Sequence, residues 1–192
     1  MMRRRLLSGL ATLALVLLLA MGGFVIWASQ AATPMPQALA ALQSDQAVTV
    51  ADEQWLTFAP VTDAPTQGLI FYPGGKVDPR AYAPAAHVLA QEGFLVVIVP
   101  MPLNLAVLAP GRAADVIAAH GEIDDWSIAG HSLGGSMAAN FARKNPAAVD
   151  RVIFWAAYPA DGDSLATRTE LIVGSIYGTL DGLATPEKID AS

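Results

Sequence analysis

The residues with the clearest chemical potential sit in one turn, Gly130-His131-Ser132-Leu133-Gly134-Gly135. A serine with glycine two places before it and two places after it is a candidate nucleophile. The spacing has a physical reason. A serine hydroxyl stands clear of a sheet only in a tight, strained turn, and the glycines let the entering strand and the departing helix pass closely. A helix that starts just after the serine aims free N–H groups, and the positive end of its dipole, at the place where an oxyanion would develop. An ordinary glycine-rich strand-to-helix turn is the plain alternative, so the flanks matter. Trp126-Ser127-Ile128-Ala129 before the turn reads as a buried strand. Ser136 to Lys144 after it reads as a helix, because Leu133, Met137 and Phe141 recur every four residues and Pro146 closes the pattern.

A second feature is Pro73-Gly74-Gly75-Lys76, at the exit of the apolar run Gly68-Leu69-Ile70-Phe71-Tyr72. A continuous apolar run of this kind predicts a strand buried on both faces, as in a parallel sheet. Glycines at its end let the backbone approach a ligand and turn N–H groups outward. On its own this is as well read as a plain strand exit; beside a nucleophilic serine it reads as the second half of an oxyanion hole.

Other chemistries are thinly supplied. There is no cysteine, which excludes disulfides, a thiolate zinc site and a cysteine nucleophile. The histidines, His87, His120 and His131, are scattered without metal-ligand spacing, so a zinc enzyme is not expected, and chemistry at a nucleophilic serine needs neither a metal nor an organic cofactor. His87 is expected on the solvent side of its helix and His120 at a helix C-terminus. Net charge is −6, and beyond Ala31 the balance is 8 basic against 17 acidic residues, net −9. That argues against a nucleic-acid partner.

The elements that must position these residues follow in chain order. Arg3-Arg4-Arg5 precede 23 uncharged, mostly apolar residues from Leu6 to Ala28. As a helix they would reach about 34 Å, enough to cross a bilayer's hydrocarbon layer. The arginines predict a cytoplasmic N-terminus, and Trp27 suits the outer interface. A cleaved signal peptide is the competing reading, since Ser29-Gln30-Ala31 offers small residues at a cleavage spacing; the length of the run favours an uncleaved anchor. The expected organisation is therefore residues 1–31 as membrane anchor or signal peptide, 32–46 as linker and 47–192 as one domain. The domain would be extracytoplasmic, or secreted if the leader is removed. Within it, a hairpin of half-exposed strands is expected over residues 47–59. Asp78 caps the next helix, with Pro79 in its first turn and Tyr82, Ala85, Ala86 and Leu89 on its buried face. Strands follow over 94–99, 149–155 and 170–176, with an apolar loop or short helix over 101–108 and a helix over 111–120. The alternation predicts a doubly wound, mostly parallel α/β sheet.

From Gly68 onward the chain resembles the α/β-hydrolase superfamily. The segments Tyr72 to Pro79, Tyr82 and Met101-Pro102-Leu103-Asn104-Leu105-Ala106 are similar to a narrower group of membrane-anchored or exported bacterial members, loosely described as dienelactone-hydrolase-like. True dienelactone hydrolases use a cysteine, and a serine stands here, so the narrower likeness says little about substrate. The resemblance implies Ser132 as nucleophile. It implies the N–H of Leu133 as one oxyanion donor and that of Gly75, or its neighbour Gly74 or Lys76, as the other. Asp181, in the turn after the strand over 170–176, would be the triad acid; Asp161 and Asp163, one strand earlier, are weaker candidates. It further implies a last helix, a last strand and a loop histidine after Asp181, and residues 182–192 contain no histidine. The sequence is thus expected to be the incomplete N-terminal portion of a hydrolase of small-molecule esters or related acyl compounds. A non-catalytic hydrolase-fold binding protein, or an inactive fragment, is the alternative. Leu103, Leu105 and Leu108 read equally as an acyl pocket or as core.

Overall fold

The computed structural model describes residues 2–62 and 64–190; the side chains of Arg3, Arg4 and Arg5, on which the orientation reading rests, lie outside what is described. Helix α1 (Met2–Ser29) is followed by a short helix α2 (Pro36–Ala40) and by the antiparallel hairpin β1 (Val48–Asp52) and β2 (Leu56–Pro60). Then come β3 (Gln67–Tyr72), α3 (Ala83–Gln91), β4 (Leu95–Ile98), α4 (Ala113–Ala119), β5 (Asp125–His131), α5 (Leu133–Lys144), β6 (Arg151–Trp155), β7 (Ile172–Ile176) and α6 (Pro186–Asp190). The strands form one sheet in the order β1-β2-β4-β3-β5-β6-β7, antiparallel on its β1-β2-β4 side and parallel from β4 to β7. This is the doubly wound arrangement that the alternation of strand and helix predicts.

Both faces of β3 and β4 are largely covered, which is why Leu69–Tyr72 and Leu95–Ile98 are unbroken apolar runs; β5 is buried although it carries Ser127, and β7 at the sheet edge is mostly exposed. On one face Ile70, Tyr72, Val97, Ile128, Val152 and Phe154 pack with Val116 of α4 and with Ala138 and Phe141 of α5. On the other, Phe71, Val96, Ile98 and Ala129 pack with Ala83, Ala86 and Ala90 of α3. Cover on that second face is uneven. Beyond α3, a cavity of about 840 Å³ opens over Leu69, Ala129, Ile153, Trp155 and Ile176. Ala85 and Leu89, expected in the buried stripe of α3, line this cavity and are only half-buried; Ala83 and Ala90 are buried instead.

Local signals in the sequence act as their chemistry dictates. The Asp78 carboxylate accepts the N–H of Arg80 at 2.9 Å and caps a single tight turn, Pro79–Tyr82, that leads into α3. Gly93 ends that helix at φ 97°, a conformation that costs glycine little. The segment over 101–108 folds as two short 3-10 turns, Pro102–Asn104 and Ala106–Leu108, with Leu103 and Asn104 both at positive φ.

The connections fix where a site can lie. From β3 the chain passes through α3 to β4 on one side; through α4 it returns to β5 on the other side of β3, then continues outward to β6 and β7. The loops leaving β3 and β5 therefore part to opposite faces of the sheet and leave a crevice at the carboxyl ends of these two neighbouring strands. Their register places Tyr72 opposite Gly130, so the Gly74-Gly75 turn and Ser132 emerge side by side.

Candidate active site

Ser132 is the residue between the last position of β5 and the first of α5. Its backbone lies at φ 51°, ψ −121°, a strained conformation for a residue with a side chain, with a cost of about 1–3 kcal/mol. Three bonds hold it there. Its N–H donates to the carbonyl of Trp155 at 3.0 Å, and its own carbonyl accepts the N–H groups of Gly135 at 2.9 Å and Ser136 at 3.2 Å. The side chain is exposed. The flanking glycines are required by collision: a Cβ on Gly130 would overlap the backbone of Gly134 and Gly135, and one on Gly134 would overlap the carbonyl oxygens of Tyr72 and Pro73.

The N–H groups around Ser132 can be accounted for one by one. Leu133 is the first residue of α5, so its N–H has no partner within the helix. In the facing turn, the N–H of Gly74 donates to Tyr82 Oη at 2.9 Å, and that of Lys76 donates to the Asn104 carbonyl at 2.9 Å. The N–H of Gly75, between them, has no acceptor among the described residues. The turn lies against the helix start: a methyl group on Gly75 would meet Leu133 Cδ2 at 3.2 Å and Leu105 Cδ2 at 3.7 Å. The two free donors thus stand beside the exposed serine, an arrangement able to receive the oxyanion of a carbonyl group attacked by Ser132 Oγ.

Tyr82 does more than fill the helix face assigned to it by periodicity. Its hydroxyl binds both the Gly74 N–H and His131 Nδ1, each at 2.9 Å, and burial pushes its pKa up. His131 is consequently turned away from Ser132, into a cluster of Tyr82 and Trp155 rings. Burial pushes its pKa down, opposed by the nearby charge of Asp181. The other histidines are engaged elsewhere. His120 caps the C-terminus of α4 and meets Glu122 at 3.0 Å. His87 is not on the solvent side: its ring binds the Ala41 carbonyl and Asp45 Oδ2, both at 3.0 Å, because α2 and the chain before β1 fold over that flank of α3. Among the described residues, no histidine ring is hydrogen-bonded to Ser132.

Asp181 follows β7, at the same end of the sheet as Ser132. Its Oδ1 accepts the N–H groups of Leu183 at 2.8 Å and Ala184 at 3.0 Å, and these bonds hold its pKa below the usual carboxylate range. Asp163 has a different place. It is buried and binds Asn140 Nδ2 and Arg143 Nε, each at 2.8 Å, tying the β6–β7 connection to α5. No cluster of metal-ligating side chains occurs among the described residues. The large cavity does not include Ser132, Leu133, Gly75 or Asp181.

One further element reaches the site. The C-terminal end of α1 sits on the Gly74–Lys76 turn: Lys76 Nζ lies 4.2 Å from the centre of the Trp27 ring, and Ala28 is fully buried. Asn104 Nδ2 donates to the Ala28 carbonyl at 3.4 Å, and Ala32 bridges Val77 through two backbone hydrogen bonds. Nothing in the sequence between residues 32 and 46 signals these contacts.

A family model described as the Alpha/beta hydrolase family matches residues 68–192, and the chain belongs to that family. No curated protein matches the sequence. Among solved structures, TT1662 from Thermus thermophilus is 13% identical with a TM-score of 0.55, covering 75% of this chain and 80% of that one. MGS-MChE2, an alpha/beta hydrolase enzyme from a lagoon-sediment metagenome, is 13% identical with a TM-score of 0.53, covering 74% and 80%. The Francisella virulence factor BioJ is 14% identical with a TM-score of 0.50; 62% of this chain is covered, and it spans only 47% of that protein. At these identities the likeness is one of fold.

Proposed function

We propose that the protein is a serine hydrolase of ester or related acyl bonds, with Ser132 as nucleophile. The observation that carries this reading is the strained, exposed Ser132 beside the free N–H groups of Leu133 and Gly75. Ser132 Oγ attacks the carbonyl carbon, and the oxygen takes up negative charge against those two donors. The alcohol then leaves with a proton, and water releases the acyl group from the serine. Asp181 is the acid that orients the base. The base is a histidine that the family pattern places after Asp181, and it is none of His87, His120 and His131, which are bound elsewhere. No metal or organic cofactor is required by this chemistry.

In this reading α1 is an uncleaved anchor and the domain lies outside the cytoplasm. The segment from Gly9 to Ser29, with mean hydropathy 2.4 and exposed along its length up to Trp27, is long and apolar enough to span a bilayer. The test is reaction of the full-length protein with a fluorophosphonate. Labelling on the peptide containing Ser132, lost in Ser132→Ala, supports the proposal. Absence of labelling refutes it and favours the second reading, a non-catalytic binding protein on a hydrolase fold, which the lack of any described histidine at Ser132 supports.

A further inference from the structure

We infer that the site takes its substrate from the bilayer surface: the substrate is an amphiphilic ester presented at the membrane interface. The inference rests on the serine-hydrolase reading of the site and on four observations outside it. First, α1 does not end in free chain. Asn104 Nδ2 caps the Ala28 carbonyl, one of the last carbonyls of α1, which the helix itself leaves unpaired. Second, the same residue's carbonyl accepts the Lys76 N–H, so one residue joins the helix end to the turn that carries Gly75. Asn104 does this at φ 55°, next to Leu103 at φ 51°; two consecutive left-handed residues are costly, and here they hold this joint. Third, Lys76 Nζ lies over Trp27, a pairing of aromatic ring and cation suited to the headgroup layer. Fourth, the loop that carries Asn104 presents Pro102, Val107 and Leu108 to solvent, and Met35 just beyond α1 is exposed as well.

These place an apolar loop, the end of a membrane-length helix and the oxyanion turn on one side of the domain. Trp27 touches Lys76, Lys76 is bonded to Gly75, and the Gly75 turn lies against Leu133, so only three links separate the end of α1 from the candidate oxyanion position. The polar layer of a bilayer adds roughly 5–8 Å on each side of the hydrocarbon. A site this near the interface, beside an apolar loop and fixed to the anchor, is reached by an ester lying in the outer leaflet without its leaving the membrane. The carbonyl at the headgroup level meets Ser132 while the chain stays in lipid.

The chain has no cysteine, which makes a direct test simple. The full-length protein is reconstituted in phosphatidylcholine vesicles with a polarity-sensitive dye on Val107→Cys or, at the opposite end of the strands, on Glu122→Cys. Spin-labelled lipid should quench the first dye and leave the second unchanged. A flexible 12-residue Gly/Ser insertion after Ser29 has a root-mean-square span of about 19 Å and frees the domain from the anchor. It should abolish the quenching. It should also cut turnover of a vesicle-embedded long-chain ester at least about tenfold more than turnover of a short soluble ester, whose slowing reads the loosened Gly74–Lys76 turn alone. Quenching that is absent in the parent, or embedded-ester turnover that falls no further than soluble-ester turnover, overturns the inference. So does a native protein whose mass shows removal of residues 1–31. Fluorophosphonate labelling of Ser132 in the same vesicles separates the two readings. Labelling without quenching overturns only the membrane geometry. Absence of labelling overturns the serine chemistry and the substrate assignment with it.

Discussion

Removing one oxygen atom from Tyr82 tests how the candidate oxyanion turn is held. Tyr82→Phe keeps the ring, which is packed against Phe71 at 4.6 Å between centroids. It deletes the acceptor of the Gly74 N–H and the partner of His131 Nδ1. Gly74 is buried, so its N–H cannot turn to water, and a buried donor left unpaired costs about 1–3 kcal/mol. His131 is half-buried and regains water more cheaply. For a domain of this size each kcal/mol lowers the unfolding midpoint by about 2–4 °C, so a fall of about 2–12 °C is expected in thermal denaturation. The second consequence is functional. Loss of an oxyanion donor costs about 10²–10³ in kcat. Loosening the neighbour of Gly75, rather than deleting the donor, should slow fluorophosphonate labelling of Ser132 by about tenfold or less. A midpoint within 1 °C of the parent, together with unchanged labelling, would refute the claim that Tyr82 pins this turn.

Gly134→Ala places a methyl group inside the carbonyl oxygens of Tyr72 and Pro73, a backbone collision that no rotamer relieves. It should cost about 3 kcal/mol, the upper end for overpacking, seen as a lower midpoint or loss of soluble protein; a parent-like midpoint would count against the packed elbow. His131 gives a pH dependence. Burial holds its pKa below the ordinary value near 6.5, so the unfolded chain binds the proton more readily than the folded one. Stability should be full above about pH 6.5 and decline as pH falls from there through the folded-state pKa. Denaturant midpoints of His131→Asn should decline less over the same range, and parallel curves for the two proteins would sink this assignment.

The sheet was legible because burial on both faces leaves strands few polar positions, so Leu69–Tyr72 of β3 and all of β4 are plain apolar runs, and β5 carries only Ser127 at its centre. Ser132 was legible because its turn needs glycines that collide with nothing, a steric demand expressed in three nearby letters. What could not be read are contacts between residues far apart in the chain. The choice among Gly74, Gly75 and Lys76 depends on which N–H groups are already taken, and the takers, Tyr82 and Asn104, carry no local signal of it. Tyr82 satisfies a helical stripe as well as a hydrogen bond, so periodicity absorbs it. His87 looked solvent-facing because its own helix leaves it off the apolar stripe; the chain around Asp45 covers it from outside. Asp163 reads in sequence as one loop carboxylate among others, because its partners Asn140 and Arg143 lie about 20 residues away on α5.

The same contacts tie local strain to long-range order. The Gly74–Lys76 turn has a donor claimed on either side of Gly75, one by the entry to α3 and one by the loop after β4. The loop after β4 is in turn bound to the end of α1. Gly75 therefore has the only free N–H of the three, and its direction is fixed from two sides by elements with different anchors. A change at Tyr82 acts through the domain core, whereas a change at the end of α1 acts through Asn104. Both arrive at the same peptide group. A loose tether would leave the candidate oxyanion turn indifferent to the N-terminal helix; this joint does not, which is why freeing the helix and deleting the Tyr82 hydroxyl probe one site from opposite sides.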